Sequence, residues 1–353
     1  MIRPIVRHSF VMVIALATLT GPRVAPAVVA KAPSCDTDGV GRIVAVGDVH
    51  GAYDRLVAIL RAADIVDAGL RWEAGKTHLV QLGDIVDRGP ESRKALDLLL
   101  RLEKQATRAG GAVHVLLGNH EVMRTLGDLR FVTPGEYEPF VTPQSEEIRQ
   151  RFVQTSNAED QVQLLKETPL GSVEMRVAFG RDGEYGKWLR TLNAVMKING
   201  VLFLHGGISP ALAALPCDTI NTTVRRELTS DIDKTRAAPL TSLAAREDGP
   251  FWYRGLAQEP ETFAPEVDQI LMQQNARVMV IAHTVTPDGR IRTRFDGKIV
   301  QIDTGMQPAY VPAGRASALE ISRGMFTAIY EDGREVLAVP PATGPKAPAL
   351  PRP

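Results

Sequence analysis

Three stretches of this sequence run an apolar segment into a glycine and then into side chains that bind metals: IVAVGDVHG (43–51), LVQLGDIVDRG (79–89) and HVLLGNHEVM (114–123). Two more apolar runs, at 200–204 and 277–282, stop on His205 and His283. The donors collected in this way are Asp48, His50, Asp84, Asn119, His205 and His283. Residues two apart in extended backbone project to the same side, so Asp48 and His50 can grip one ion. Two carboxylates, three imidazoles and an amide are too many for a single tetrahedral ion. They suit a pair of divalent cations roughly 3.5–4 Å apart, which clamp a phosphoryl group and activate a water. The charges agree. Two dications less Asp48, Asp84 and a bridging hydroxide leave a positive remainder that attracts phosphate. Asp84, alone in the middle motif, is the carboxylate expected to be shared by both metals. Mixed oxygen and nitrogen donors accept manganese, iron, zinc or cobalt, and leave the choice open.

Such donors need strand ends to carry them. β-rich apolar runs occupy 42–47, 78–83, 112–118, 200–204 and 277–282. In open α/β sheets, ligands bind beyond the carboxyl ends of the strands, which is where every donor falls. Helical periodicity follows the first two runs, through Leu56, Leu60 and Ala63 and then through Ala95, Leu98, Leu99 and Leu102. This alternation predicts an α/β fold, with layered sheets as its core and flanking helices. The polar segment at about 130–199 is predicted to be a mostly helical insertion, either lying over the site or packing at the periphery. Asp296-Gly297 marks a tight hairpin, and further strands are expected at 317–321 and 326–331. The catalytic domain is placed at 36–337. The Pro- and Ala-rich residues 340–353 cannot build a core and read as a disordered tail.

The bulk properties exclude some partners. The 353 residues carry 41 basic and 41 acidic side chains, so no general field favours nucleic acid or an anionic membrane. Residues 1–30 read as a secretory signal peptide. Arg3 and Arg7 precede the apolar run Phe10–Leu19, and small residues follow in Ala25-Pro26-Ala27 and Val28-Val29-Ala30. An uncleaved anchor is the alternative, but the run is short for a bilayer. Export is therefore expected, to the periplasm if the source is Gram-negative, with no stable membrane association after cleavage. In such a compartment Cys35 and Cys217 could pair and tie the mature N-terminus to a loop, a point the sequence leaves open.

The motifs GDVHG (47–51), GDIVDRG (83–89), GNHE (118–121) and HGGISP (205–210), with the later His283, resemble the calcineurin-like metallophosphoesterase superfamily. Asp87-Arg88 resembles the phosphoprotein phosphatase branch. FWYRG (251–255) and IDTGM (302–306) look most like the bacterial Shewanella-like phosphatases. The resemblance spans about 42 to 330. It implies that Asp48, His50 and Asp84 hold one metal, and that Asp84, Asn119, His205 and His283 hold the other. It also implies phosphomonoester hydrolysis by a metal-bound hydroxide, with His120 as general acid, Asp87 orienting it and Arg88 gripping the phosphate. Physics supports these roles: a neighbouring carboxylate keeps a histidine protonated, and the arginine fork matches two phosphate oxygens. Arg254 is the candidate second phosphate-binding arginine, with a surface salt bridge as the alternative. Ala282 replaces the family's glycine before the last histidine.

The implied substrates are phosphoproteins, with a leaning to phosphotyrosine. Small phosphate esters or nucleotides are the alternative, and a non-catalytic phosphopeptide-binding module is a third reading. His78 and His114 are expected to be structural, Glu121 to satisfy backbone or a metal ligand's surroundings, and Trp72, Trp188 and Trp252 to pack, with Trp252 and Tyr253 flanking the substrate beside Arg254 as the alternative. Arg124 and Asp128 are possible pocket residues without an assigned role.

Overall fold

A computed structural model of the chain describes residues 34–156 and 160–339. The signal segment at 1–30 and the tail at 340–353 lie outside the described residues. Two six-stranded sheets form the core. In chain order the strands are β1 (Asp36–Thr37), β2 (Arg42–Val46), β3 (His78–Gln81), β4 (Ala112–Val115), β5 (Val195–Ile198), β6 (Val201–Leu204), β7 (Val278–Ile281), β8 (Arg292–Arg294), β9 (Ile299–Gln301), β10 (Ser317–Ser322), β11 (Met325–Tyr330) and β12 (Gly333–Val336). One sheet has the order β12-β11-β10-β2-β3-β4 and the other β1-β5-β6-β7-β9-β8.

Strand alternation explains how both faces of each sheet are filled. Ile43, Ala45 and Val80 turn inward and meet Phe203, Val278, Val280 and Val300 of the opposite sheet in one apolar layer. Their neighbours Val44, Val46 and Leu79 turn outward onto helices. The outer cover comes from α1 (Tyr53–Ala62) and α2 (Ser92–Ala109), whose Leu56, Ile59, Leu60, Leu98, Leu99 and Leu102 are buried. Strands buried on both faces read as continuous Val/Ile/Leu runs, and so they stand out in the sequence. β2, β3 and β4 run parallel, as do β6, β7 and β9. Each of these six is therefore able to contribute a chain turn to the rim.

The segment 130–199 needs a correction. Among its described residues are five short α-helices, at Pro134–Tyr137, Ser145–Thr155, Gln161–Lys166, Ser172–Phe179 and Glu184–Leu189, and a 3-10 turn at Glu138–Phe140. Its last residues are not helical, because Val195–Ile198 forms β5, antiparallel to β6. The signal was Asn199-Gly200, which joins them with both residues at positive φ (50° and 71°), the geometry of a two-residue hairpin. The Asp296-Gly297 hairpin lies between β8 and β9. Cys35 and Cys217 are joined as a disulfide with Cα atoms 6.0 Å apart; Cys217 opens a helix (Cys217–Glu227), not a loop. Among the described residues no helix is long and apolar enough to cross a membrane.

Candidate metal centre and catalytic pocket

The six donors converge at one rim. β2 leads through Gly47 to Asp48 and His50, and β3 leads through Gly83 to Asp84. β4 leads to α3 (Asn119–Leu126), while β6 and β7 end at His205 and His283. The carbonyl of Asp84 accepts from the amides of Val49 and His50, both at 2.9 Å, and locks the first two turns together. Gly83 and Gly118 cross at van der Waals contact: a Cβ on Gly118 would overlap the Asp84 carboxylate. Glu121 finishes the joint. Its carboxylate accepts from the amides of Gly118 (2.9 Å), Asp84 (2.7 Å), Ile85 (2.8 Å) and Val86 (3.3 Å). Glu121 thus satisfies backbone.

Hydrogen bonding fixes the tautomers. A carbonyl can only accept, so His205 Nδ1, 2.9 Å from the Leu82 oxygen, must carry the proton. In the neutral ring Nε2 is then the free ligand atom. That atom faces Asn119 Oδ1 at 2.9 Å, His283 Nδ1 at 3.1 Å and Asp84 Oδ2 at 3.3 Å. His50 repeats the logic: Nδ1 donates to the Val86 oxygen at 3.0 Å, and Nε2 looks towards Asp84 Oδ2 at 3.5 Å and Asp48 Oδ2 at 3.8 Å. The ring protonation is already that of a ligand. Burial pushes His50 down to about 4 and His283 down to about 2, so both imidazoles are neutral near pH 7. His283 Nε2 is buried without a hydrogen-bond partner. Its amide donates to Asp48 at 3.2 Å. Acceptors facing acceptors in a buried pocket are reconciled by cations, and this donor set fits a pair of them, with Asp84 central to both halves.

One carboxylate escaped the sequence reading. Asp303, just past β9, is 2% exposed, lines the pocket and faces Asp48. Burial raises its pKa to about 6, and burial together with the Asp303 and Asp84 charges raises Asp48 well above the usual carboxylate range. Three crowded carboxylates add to the demand for positive charge. The signal was available, because β9 ends at the same rim as the five runs that supplied donors.

Beside the donors sits a buried acid pair. His120 Nδ1 lies 2.7 Å from Asp87 Oδ2, and its amide donates to Asp84 at 2.9 Å. Burial opposes the imidazolium, but the Asp84 charge and the Asp87 hydrogen bond outweigh it and raise the pKa of His120. Asp87 is itself held by Arg124. Arg124 also donates to Glu136 at 2.9 Å, and Glu136 accepts from Ser92 at 2.6 Å. Arg124 and Glu136 were thus missed as members of a buried network: His120, Asp87, Arg124, Glu136.

Arg88 stands at the mouth, its guanidinium stacked 3.8 Å from the Tyr310 ring centroid and 4.6 Å from that of Phe131. Its Nε is buried and unpartnered. Arg254 lines the same pocket and donates to the His283 carbonyl (2.9 Å) and Thr284 Oγ1 (3.0 Å), with Trp252 beside it. It makes no salt bridge among the described residues. The pocket encloses about 170 Å³. Of the residues held to be structural, His78 and His114 lie away from it, paired at 3.0 Å on β3 and β4.

A two-sheet α/β sandwich with a carboxylate–imidazole cluster at its parallel strand ends defines a metal-dependent phosphoesterase class of protein. Residues 41–287 match the calcineurin-like phosphoesterase family, and the chain belongs to it. An uncharacterized protein of Schizosaccharomyces pombe is 35% identical over 82% of this chain and 80% of its own length. Shewanella-like protein phosphatase 2 of Arabidopsis thaliana is 28% identical over 80% of this chain and 75% of its own. Among solved structures, the cold-active protein-tyrosine phosphatase of a psychrophilic Shewanella species superposes with a TM-score of 0.69 at 32% identity. That match covers 86% of this chain and 82% of the other.

Proposed function

We propose that this chain is a two-metal-dependent phosphomonoesterase acting on phosphoproteins, with phosphotyrosine as the preferred substrate class. The observation that carries the reading is the convergence of Asn119 Oδ1, His283 Nδ1 and Asp84 Oδ2 on His205 Nε2, at 2.9, 3.1 and 3.3 Å, in a buried cluster. Asp48, His50 and Asp84 would hold one cation, and Asp84, Asn119, His205 and His283 the other. Two such ions, when bound, supply Lewis acidity toward the phosphoryl oxygens and a water activated for attack.

The chain's own residues do the rest. Arg88, held flat between two rings, presents two N–H groups to the phosphoryl oxygens. Arg254, which lines the same pocket, is the proposed second phosphate contact. As a P–O bond forms to the entering water, the ester P–O bond breaks, and His120 Nε2 gives its proton to the departing oxygen. Asp87 keeps the other ring nitrogen hydrogen-bonded so that the donating edge faces the pocket. The products are the free alcohol or phenol and inorganic phosphate. Phe131, Trp252 and Tyr310 line the mouth, an aromatic surround that suits a phenyl ester. The similarity to a protein-tyrosine phosphatase supports the same choice.

We further propose export: the N-terminal pattern and the Cys35–Cys217 bond both suit an oxidising compartment. N-terminal sequencing of the mature protein tests this, and an intact Met1 would end it. For the activity, elemental analysis is combined with turnover of phosphotyrosine peptide, phosphoserine peptide and nucleotide monophosphate. Two metal equivalents and faster release from phosphotyrosine peptide are expected. Preference for nucleotides would move the protein to the small-ester class, and tight phosphopeptide binding without phosphate release would make it a binding module.

A further inference from the structure

A larger cavity, about 320 Å³, opens at the C-terminal end of α3 and shares no lining residue with the catalytic pocket. Arg124, Arg176, Arg181, Arg190 and Arg236 line it, and no aspartate or glutamate does. One wall belongs to the helical insertion, where Ser172–Phe179 and the turn after it supply Arg176 and Arg181. Met175, Phe179 and Leu228 make the remaining surface partly apolar, which strengthens any charge interaction formed there.

Neighbouring carboxylates leave much of this charge unspent. Arg124 is taken by Asp87 and Glu136, although its buried Nε has no partner. Arg236 reaches Asp233 at 3.5 Å. Arg190 is 9% exposed, yet it touches only backbone carbonyls: Leu228 at 3.0 Å, Gly186 at 2.8 Å and Phe179 at 3.4 Å. Its Nη2 bonds no described atom, and no described carboxylate lies within ion-pair distance. Burial, then the charges of Arg236 and Arg181, push its pKa down, with Asp182 offsetting them only in part. Arg176 and Arg181 are exposed and form no ion pair among the described residues. A buried guanidinium without a counter-charge is costly in a folded protein unless an anion completes it.

We propose that this cavity is a second anion-binding site, taking a small phosphoryl polyanion. Three guanidinium groups without carboxylate partners (Arg176, Arg181 and Arg190) match a tetrahedral oxyanion bearing two or more charges better than a single carboxylate. Their planar forks pair with two oxygens at a time. The site also gives the insertion a task distinct from covering the metals.

The test is equilibrium dialysis of inorganic phosphate, at low ionic strength, against the manganese-loaded protein and the double variant Arg176→Glu/Arg181→Glu. Both positions are exposed and outside the catalytic machinery, so the variant should melt like the parent and keep its turnover. The parent is expected to bind one equivalent more than the variant, or to bind that equivalent at least about tenfold more tightly, a difference of about 1.4 kcal/mol. Equal stoichiometry and equal affinity in the two proteins would overturn the proposal. So would a single equivalent on the parent that phosphotyrosine peptide displaces completely. Neither outcome depends on whether the catalytic pocket prefers phosphoprotein.

Discussion

Replacing His120 with alanine isolates the proposed proton donor from the proposed metal ligands. The imidazole is 2% exposed and bonded at Nδ1 to Asp87, and none of its ring atoms belongs to the proposed ligand set. The substitution therefore removes a proton source and leaves Asp48, His50, Asp84, Asn119, His205 and His283 in place. General acid assistance is worth about 10²–10⁴ in rate, or roughly 3–5 kcal/mol of barrier. The full penalty should appear with a weakly acidic leaving group, as in a phosphoserine or phosphotyrosine peptide. It should shrink toward unity for aryl phosphates whose phenols are acidic enough to leave as anions. Asp87→Asn should follow the same trend at smaller amplitude, about 10- to 100-fold, because it removes a charge-assisted hydrogen bond worth about 1.5–3 kcal/mol and leaves the imidazole. The assay is kcat across a leaving-group series, with metal content measured on every sample. A loss that is constant across the series, with both metals retained, would refute the acid role and leave His120 as a substrate-binding residue.

Asp84→Asn should empty at least one metal position, since its carboxylate faces both His50 and His205; two metals per chain by mass spectrometry would contradict the bridge. Cys35→Ser/Cys217→Ser opens a link across a sequence separation of 182 and should cost about 2–5 kcal/mol of stability by chemical denaturation. An unchanged midpoint would show that the unfolded chain gains nothing from its release. Burial, with a smaller contribution from His78, lowers His114 from 6.5 to about 4. Its folded pKa lies below the unfolded one, so the unfolded chain binds the extra proton: stability is full above pH 6.5 and is lost as pH falls towards 4, by at most about 3 kcal/mol. His114→Asn should flatten that slope in melts between pH 7.5 and 4.5, and an identical slope would remove the histidine as its source.

The donor set was legible because each motif is local. An apolar strand, a glycine and a polar turn sit within ten residues, and parallel topology then sends the ends to one rim. β5 was hidden for the opposite reason. Val195–Ile198 is only four residues long, and its neighbours upstream are helical, so pattern alone gave it no boundary apart from Asn199-Gly200. Asp303 follows an even shorter strand and stood in a stretch that served as a family signature, so its chemistry went unread. Glu136 could not have been singled out. In the sequence it is the third residue of a short helix opened by Thr133, and one of its oxygens does take the Thr133 amide at 3.1 Å. That its other oxygen reaches Arg124, Ser92 and the amide of Asp87 depends on where the insertion docks.

The turns themselves show why the polar residues come without a spacer. Asp84, Asp87, Arg88, His50 and His283 all take positive φ, between 48° and 69°. Left-handed backbone at a non-glycine residue costs about 1–2 kcal/mol, and it persists only where its surroundings over-determine it. Here they do. The buried Glu121 carboxylate collects the amides of Asp84, Ile85 and Val86, while the Asp84 carbonyl collects those of Val49 and His50. The amides of Asp87, Arg88 and His283 donate to Glu136, the Phe131 carbonyl and Asp48, so each strained residue is tied to a different segment and one turn cannot relax without its neighbours. His50 was expected to join Asp48 through extended backbone; its left-handed turn at φ 48° brings the two side chains within 3.8 Å instead. Local backbone energy is given up where the proposed donors converge, and donors held in advance are the condition for binding a cation tightly without reorganising the site.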